Sequence, residues 1–133
     1  MGKEIFSELR LENVVFDHIE FDRKDFKKTN ADPEIRLKVQ VGENEDSVHR
    51  TNLICIITKK DEYDINISLS GYFTFQSDSS LDEKKKKDII ENNTVSILMP
   101  YLRSEITLLT TQPDMEPVVL PVINVRKLMK NDK

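Results

Sequence analysis

This chain has little of what most active sites, and all membrane spans, are built from. One cysteine, Cys55, occurs in 133 residues, so no disulfide can close within the chain, and a lone thiol fits a reducing compartment. Cys55 and two histidines, His18 and His49, are the only residues of the thiol or imidazole ligand types, and they lack the close pairs that a structural metal site uses. The three glycines, Gly2, Gly42 and Gly71, stand too far apart to cradle a phosphate. No acid is paired with a base in a recognisable motif, so the sequence predicts neither an enzyme nor a cofactor. The longest apolar run, Leu53 to Ile57, has five residues, against about 20 for a membrane helix. The opening Met1-Gly2-Lys3-Glu4-Ile5-Phe6-Ser7-Glu8 carries acids and no apolar middle of the kind a signal peptide has. A cytoplasmic protein with no membrane insertion is the expectation. With a net charge of -4 the chain also lacks the basic excess that nucleic acid backbones attract.

What is present suits one folded domain spanning residues 1–133. Charged residues make up 33% and hydrophobic ones 38%, the balance of a globular chain with an ample polar surface. Strand signals fill the first 77 residues. Along Ile65 to Gln76 the apolar side chains take the odd positions, Gly71 excepted, which predicts a strand with one core face. Ile35, Leu37, Val39 and Val41 alternate with Arg36, Lys38 and Gln40 after Asp32-Pro33, a combination that favours an extended entry. Leu53 to Ile57 is apolar at every position, as in a strand covered on both sides, and Lys59-Lys60-Asp61-Glu62 is a polar turn making a hairpin with the next strand. In the first strand, at about residues 12–22, Val14, Val15 and Phe16 run together before alternation resumes at Ile19 and Phe21, which predicts a bulge or burial on both faces.

After Ser80 the period changes. Ser80-Leu81-Asp82-Glu83 matches a capping box, with a helix beginning at Leu81. Asn92-Asn93 is a candidate interruption, after which Val95, Leu98, Leu102, Ile106 and Leu109 recur three and four apart in one apolar stripe. Pro100 lies inside this helix, where a lost amide and a ring clash cost about 3 kcal/mol, so a kink or broken turn near Leu98 is expected. Gln112-Pro113 ends it, Pro113, Pro117 and Pro121 hold the next segment extended, and Val125 to Lys130 forms a short last helix. Four strands followed by two helices give an α+β domain, its antiparallel sheet covered on one face by the long helix.

Cys55, inside the most apolar strand, reads as core. Lys84 to Lys87 splay around a helix between Asp82, Glu83 and Asp88, and read as a solvated helix start. The informative residues are apolar. Ile35, Leu37, Val39 and Val41 on a strand, Met115, Val118, Leu120 and Val122 on the Pro-rich loop, and Val125, Leu128 and Met129 on the last helix either form one groove or pack on each other.

Asn92-Asn93-Thr94-Val95-Ser96-Ile97-Leu98-Met99-Pro100-Tyr101-Leu102-Arg103, followed by Glu116-Pro117-Val118-Val119-Leu120-Pro121-Val122-Ile123-Asn124, resembles the SecB-type protein-export chaperones in order, spacing and proline placement. The likeness runs from about Leu11 to Met129, through Pro33-Glu34-Ile35-Arg36-Leu37-Lys38-Val39 and Gly71-Tyr72-Phe73-Thr74-Phe75. It implies a SecB-like fold: a four-stranded antiparallel sheet, a long helix and a short C-terminal helix. It implies an ATP-independent holdase that binds unfolded or pre-export polypeptides, with Ile35, Leu37, Val39, Val118, Leu120, Val125, Leu128 and Met129 as the client-binding residues. It implies a homotetramer built as a dimer of dimers, the helical stripe serving both core and interface. Docking to the SecA motor would fall on His18, Asp22 and Asn66, where only one acid is kept. The short last helix implies a smaller lid over the groove. The alternative on the same fold is an interaction protein dedicated to one partner, for example an antitoxin-type client.

Overall fold

Alternation of apolar and polar side chains becomes four strands, and the change to a helical period becomes two helices. The computed structural model describes residues 9–27, 29–44, 46–76 and 82–131, the last three of them by backbone alone. Its elements are β1 (Leu9–Arg23), β2 (Glu34–Glu43), β3 (His49–Lys59), β4 (Tyr63–Phe75), α1 (Glu83–Thr110) and α2 (Val125–Asn131). The strands form one antiparallel sheet in the order β1-β4-β3-β2. Two strands adjacent in sequence, β1 and β2, therefore lie on opposite edges. The irregular pattern around Val14 to Phe16 corresponds to register shifts between Leu11 and Asn13 and between Phe16 and His18.

One face of the sheet is core. Leu53, Ile57, Ile65, Ile67, Leu69 and Phe73 meet Val95, Leu98, Leu102 and Ile106 of α1, all fully buried. Gly71, the gap in the alternation of β4, lies where the helix comes closest. A Cβ there would stand 2.6 Å from Leu98 Cδ2 and 2.8 Å from Phe73 Cε2, so only glycine lets α1 seat at this depth. A buried hydroxyl pair, Thr51 Oγ1 to Thr94 Oγ1 at 2.7 Å, links sheet to helix, and Thr94 also donates to the Ile90 carbonyl. Both polar groups are thereby satisfied inside an apolar layer.

The far face of β3 differs from expectation. Ile54 and Ile56 are only half-buried, because among the described residues a helix layer covers one side of the sheet and not the other. Three helix expectations also change. The cap is Asp82, whose carboxylate accepts from the Lys85 N–H at 2.8 Å, so α1 starts at Glu83 rather than Leu81. Ser80 and Leu81 lie outside the described residues. Asn92-Asn93 does not interrupt it, since Asn92 Nδ2 donates to the Asp88 carbonyl and carboxylate one turn back, both at 3.0 Å. Nor does Pro100 break it. Pro100 and Ser96, whose carbonyl loses its usual partner, are both exposed residues, while Leu98, Met99 and Leu102 anchor the flanking turns in the core.

The β3–β4 corner is held by charge. Lys59 Nζ lies 2.9 Å from Glu62 Oε2, and the same carboxylate oxygen accepts from the Thr29 N–H at 2.9 Å and its hydroxyl at 2.8 Å. Burial alone would raise the Glu62 carboxyl, but the Thr29 donors and the Lys59 ammonium outweigh it and hold the group down to about 2. The strap from β1 to β2 is thus tied to the hairpin end, and Pro33 delivers β2 to the sheet edge.

Candidate functional site

The apolar residues Ile35, Leu37, Val39 and Val41 share the face of β2 that continues the core, opposite Ile57, Cys55, Leu53 and Thr51 of β3. Their neighbours on β3 are fully buried, yet Ile35 is 36% and Val41 44% exposed, and Leu37 and Val39 are half-buried. The single long helix covers the middle of the sheet and runs out of width before the edge.

The segment after α1 forms the second wall. It turns at Asp114, which has φ 57°, and Arg23 Nη1 donates to the Pro113 carbonyl at 2.9 Å. It then runs back along the helix. The Val118 N–H donates to Thr110 Oγ1 at 2.8 Å, Thr107 Oγ1 to the Val118 carbonyl at 3.3 Å, and Arg103 Nε to the Leu120 carbonyl at 3.4 Å. Pro117 and Pro121 keep it extended, so successive side chains point to opposite sides. The Asn124 carboxamide accepts from the Lys127 N–H at 3.0 Å at the start of α2. Arg126 ties α2 to Asp88 near the beginning of α1 at 3.1 Å.

Two clefts mark the ends of β2. One, of about 470 Å3, lies between residues 29–33 and 116–119 and is lined by Ile35, Pro33, Tyr63, Pro117, Val118 and Val119. The other, of about 710 Å3, includes Val41, Gly42, Phe75, Lys86, Lys87 and Ile90. The six residue steps from Ile35 to Val41 span about 20 Å, so the half-covered strand joins one cleft to the other.

This geometry revises the loop's contribution. Val118, 7% exposed, reaches the cleft wall as a sliver, and Leu120, 3% exposed, is core; neither offers its side chain to a ligand in this state. Alternation instead turns Val119, 68% exposed, outward, and Val122 is fully open to solvent. Sequence reading missed Val119 because alternation between prolines shows that two sides exist and not which is covered. Val125 packs against the core edge and Leu128 is half-buried, while the side chain of Met129 lies outside the described residues. In α1, Val95, Leu98, Leu102 and Ile106 are consumed within the protomer. The exposed apolar residues of the helix are Tyr101 and Leu108, two turns apart on another face, with Ile97 partly buried against the core.

On the uncovered sheet face, His18 pairs with Ser68, Glu20 with Asn66 and Asp22 with Asp64. His18, Asp22 and Asn66 thus fall on one patch with two further acids, Glu20 and Asp64, the latter 3.0 Å from Lys24 Nζ. Cross-strand register, invisible in a linear reading, brings these acids together. His49 is less isolated than its sequence context suggests. It lies 3.6 Å from Glu43 and edge-on to Phe75. Burial pushes the Cys55 thiol up to about 11, which leaves it protonated and a poor nucleophile. Among the described residues no group of three or more His, Cys, Asp or Glu side chains could hold a metal ion, and no helix is long and apolar enough to cross a membrane.

No family model matches the chain. It is 29% identical to an uncharacterized protein of Methanocaldococcus jannaschii, MJ0357, over 92% of this chain and 83% of that one. Its structure is similar to that of a protein of unknown function from Streptococcus agalactiae, with a TM-score of 0.51 and 15% identity over 86% of this chain and 98% of the other. It superposes better on Rv1957 of Mycobacterium tuberculosis, a SecB-like chaperone solved with a peptide from the HigA1 antitoxin. That match has a TM-score of 0.72 and 13% identity over 88% of this chain and 91% of the other. At these identities the likeness concerns architecture, and the fold of this chain is SecB-like.

Proposed function

We propose that this protein is an ATP-independent client-binding chaperone that holds unfolded or pre-export polypeptide segments along β2. The observation that carries this reading is the apolar face of β2, continuous with the core yet left open beside a proline-stiffened wall. Ile35, Leu37, Val39 and Val41 form the floor of the site, Val119 and Val122 the loop's outward side, and Val125, Leu128 and Met129 belong to the helix beyond it. Binding apolar side chains there needs no nucleotide and no covalent chemistry; release follows when the client folds or a receiver competes.

The decisive experiment is suppression of aggregation of a denatured model protein, with the mass of the chaperone measured by light scattering on the same sample. Near-stoichiometric suppression is expected. A folded protein that leaves aggregation unchanged overturns the general holdase. The dedicated-partner reading then takes its place, and it has its own support, since the SecB-like neighbour was solved with a peptide from one antitoxin.

Several finer points belong to the same proposal. The 133 residues act as one domain in the cytoplasm. A homotetramer assembled as a dimer of dimers would use the exposed Tyr101 and Leu108 of α1, and Leu108→Glu should lower its mass. Docking of a SecA-type motor would use His18, Asp22 and Asn66 with Glu20 and Asp64. Weak contacts in each protomer would add through effective concentration along one bound client.

A further inference from the structure

The middle of the sheet face opposite α1 is polar yet already dry. Ser70 is fully buried there and Asn52 is 3% exposed. Asn52 Nδ2 donates to Ser68 Oγ at 2.9 Å and to Ser70 Oγ at 3.1 Å, Arg50 Nε donates to Ser70 Oγ at 3.1 Å, and the Ser70 hydroxyl donates to the Asp17 carboxylate. Asp17 is the extra residue of β1 between Phe16 and His18, and the bulge aims it onto this face. These groups satisfy one another, so a surface laid over them would strand no donor or acceptor.

Charge is sorted across the same face. The register sets Arg36, Ile56, Asn66 and Glu20 in one row and Lys38, Ile54, Ser68 and His18 in the next. Arg36 and Lys38 on the β2 edge and Glu20 and Asp22 on the β1 edge are exposed, and none makes an ion pair with a described residue. Half-buried Ile54 and Ile56 lie between the edges. Other charges of the face are already matched: Arg50 with Asp17 at 3.5 Å, Arg10 with Glu12 at 3.7 Å, and Asp64 with Lys24 at 3.0 Å, a lysine that also attracts Asp22. Glu34, in the row of Asp22, is the like-charged exception on the basic edge. A face that is basic at one edge, apolar in the middle and acidic at the other complements itself.

We propose that two copies of this chain pack these sheet faces together about a two-fold axis running along the strands between β3 and β4. That rotation exchanges the edges, so β2 of each copy lies over β1 of the other. Arg36 then faces Glu20, and Lys38 is within diagonal reach of the same carboxylate. Beside the axis, Ile54 and Ile56 of the two copies meet. A two-fold axis across the strands would instead set Arg36 and Lys38 over themselves, which is unfavourable. The face offers about 1,000 Å2 over both copies, the size of a weak and reversible contact. This pair is separate from an assembly through Tyr101 and Leu108 and does not depend on client binding. It covers His18, Asp22 and Asn66, so a receiver docking on those residues competes with the second copy.

The test is sedimentation equilibrium of the intact protein over a concentration series, with and without Leu108→Glu. Association that weakens about tenfold between about 0.05 and 0.5 M salt is expected in both. R36E/K38E makes both edges acidic and E20K/D22K makes both basic, so each variant alone should lose about tenfold or more in affinity. An equimolar mixture of the two should recover it, because every acidic edge again meets a basic one. The recovery also shows that the variants are folded. Disulfide trapping fixes the axis: a mixture of E20C and K38C should form the mixed dimer, while neither forms a dimer with itself, and the buried Cys55 takes no part. A monomer at every concentration, charge variants that associate as well as the unaltered protein, a mixture without recovery, or K38C linking to itself would each overturn the proposal.

Discussion

β2 and β3 present the same alternating apolar pattern to the same face, yet the fate of that pattern differs. Leu37 is opposite Cys55 and Val39 opposite Leu53; the β3 residues are essentially inaccessible, and their β2 partners are half-buried. One strand position separates core from half-open edge. Alternation identifies which side chains share a face, and what covers that face depends on the width of the layer above it. With one long helix over four strands, the central pair β3–β4 receives the cover and the edge does not.

Substitutions in the centre and at the edge should therefore separate stability from binding, and the largest effects belong to the centre. Ile67→Ala deletes a fully buried side chain and should destabilise the fold by about 2 to 5 kcal/mol. Leu37→Ala should cost about 1 kcal/mol. Urea titrations of the two variants measure the contrast, and equal losses would mean that β2 is as much core as β4.

At the hairpin corner, Glu62→Gln strands the buried Lys59 ammonium and should cost about 3 kcal/mol. The folded carboxyl sits at about 2, below its ordinary 4.5. Its stabilisation is therefore complete above pH 4.5 and is lost as the pH falls through that range toward 2. The Gln variant should lack this part of the acid limb in a pH series of thermal melts.

Gly71→Ala places a methyl against Leu98 and Phe73 and should cost about 1 to 3 kcal/mol, visible as a lowered melting temperature. A neutral result would mean that Leu98 swings aside and that the helix is less tightly seated than its contacts indicate. Leu37→Asp and Leu128→Asp put a carboxylate at half-buried positions and should cost about 1 to 3 kcal/mol, which leaves the fold intact. These two variants should lose binding of a denatured client while keeping a native circular dichroism spectrum. Full affinity in both, with the fold intact, would move the site elsewhere.

Much of the architecture was legible in the residues themselves. Ile65 to Phe75 announced a one-faced strand, the run of Val14 to Phe16 announced its irregularity, and the spacing of Val95, Leu98, Leu102 and Ile106 announced the buried stripe of α1. Local signals misled where tertiary contacts outweighed them. Pro100 marks a break only if its flanking turns are free to part, and here buried Leu98, Met99 and Leu102 hold them. Ile54 and Ile56 predicted a doubly covered strand because composition cannot report the number of layers. The site was half legible. The β2 residues and Val122 were visible as apolar candidates, whereas the loop turns Val119 outward and buries Val118 and Leu120, because two sides of an extended segment look alike until one is buried.

The sequence by itself determined the period of each segment, the turn and cap chemistry between them, and the absence of any motif for nucleophilic or phosphate chemistry, since these depend on neighbours a few residues apart. Only the tertiary structure decided that β2 stands at an edge of the sheet, that Ile35 and Val41 are left exposed beside fully buried neighbours, and that Glu20, Asp22 and Asp64 converge from two strands. Those facts depend on strand order and register. Both are set by long-range packing, in which buried area over the whole sheet, and not any local preference, selects which apolar rows are covered.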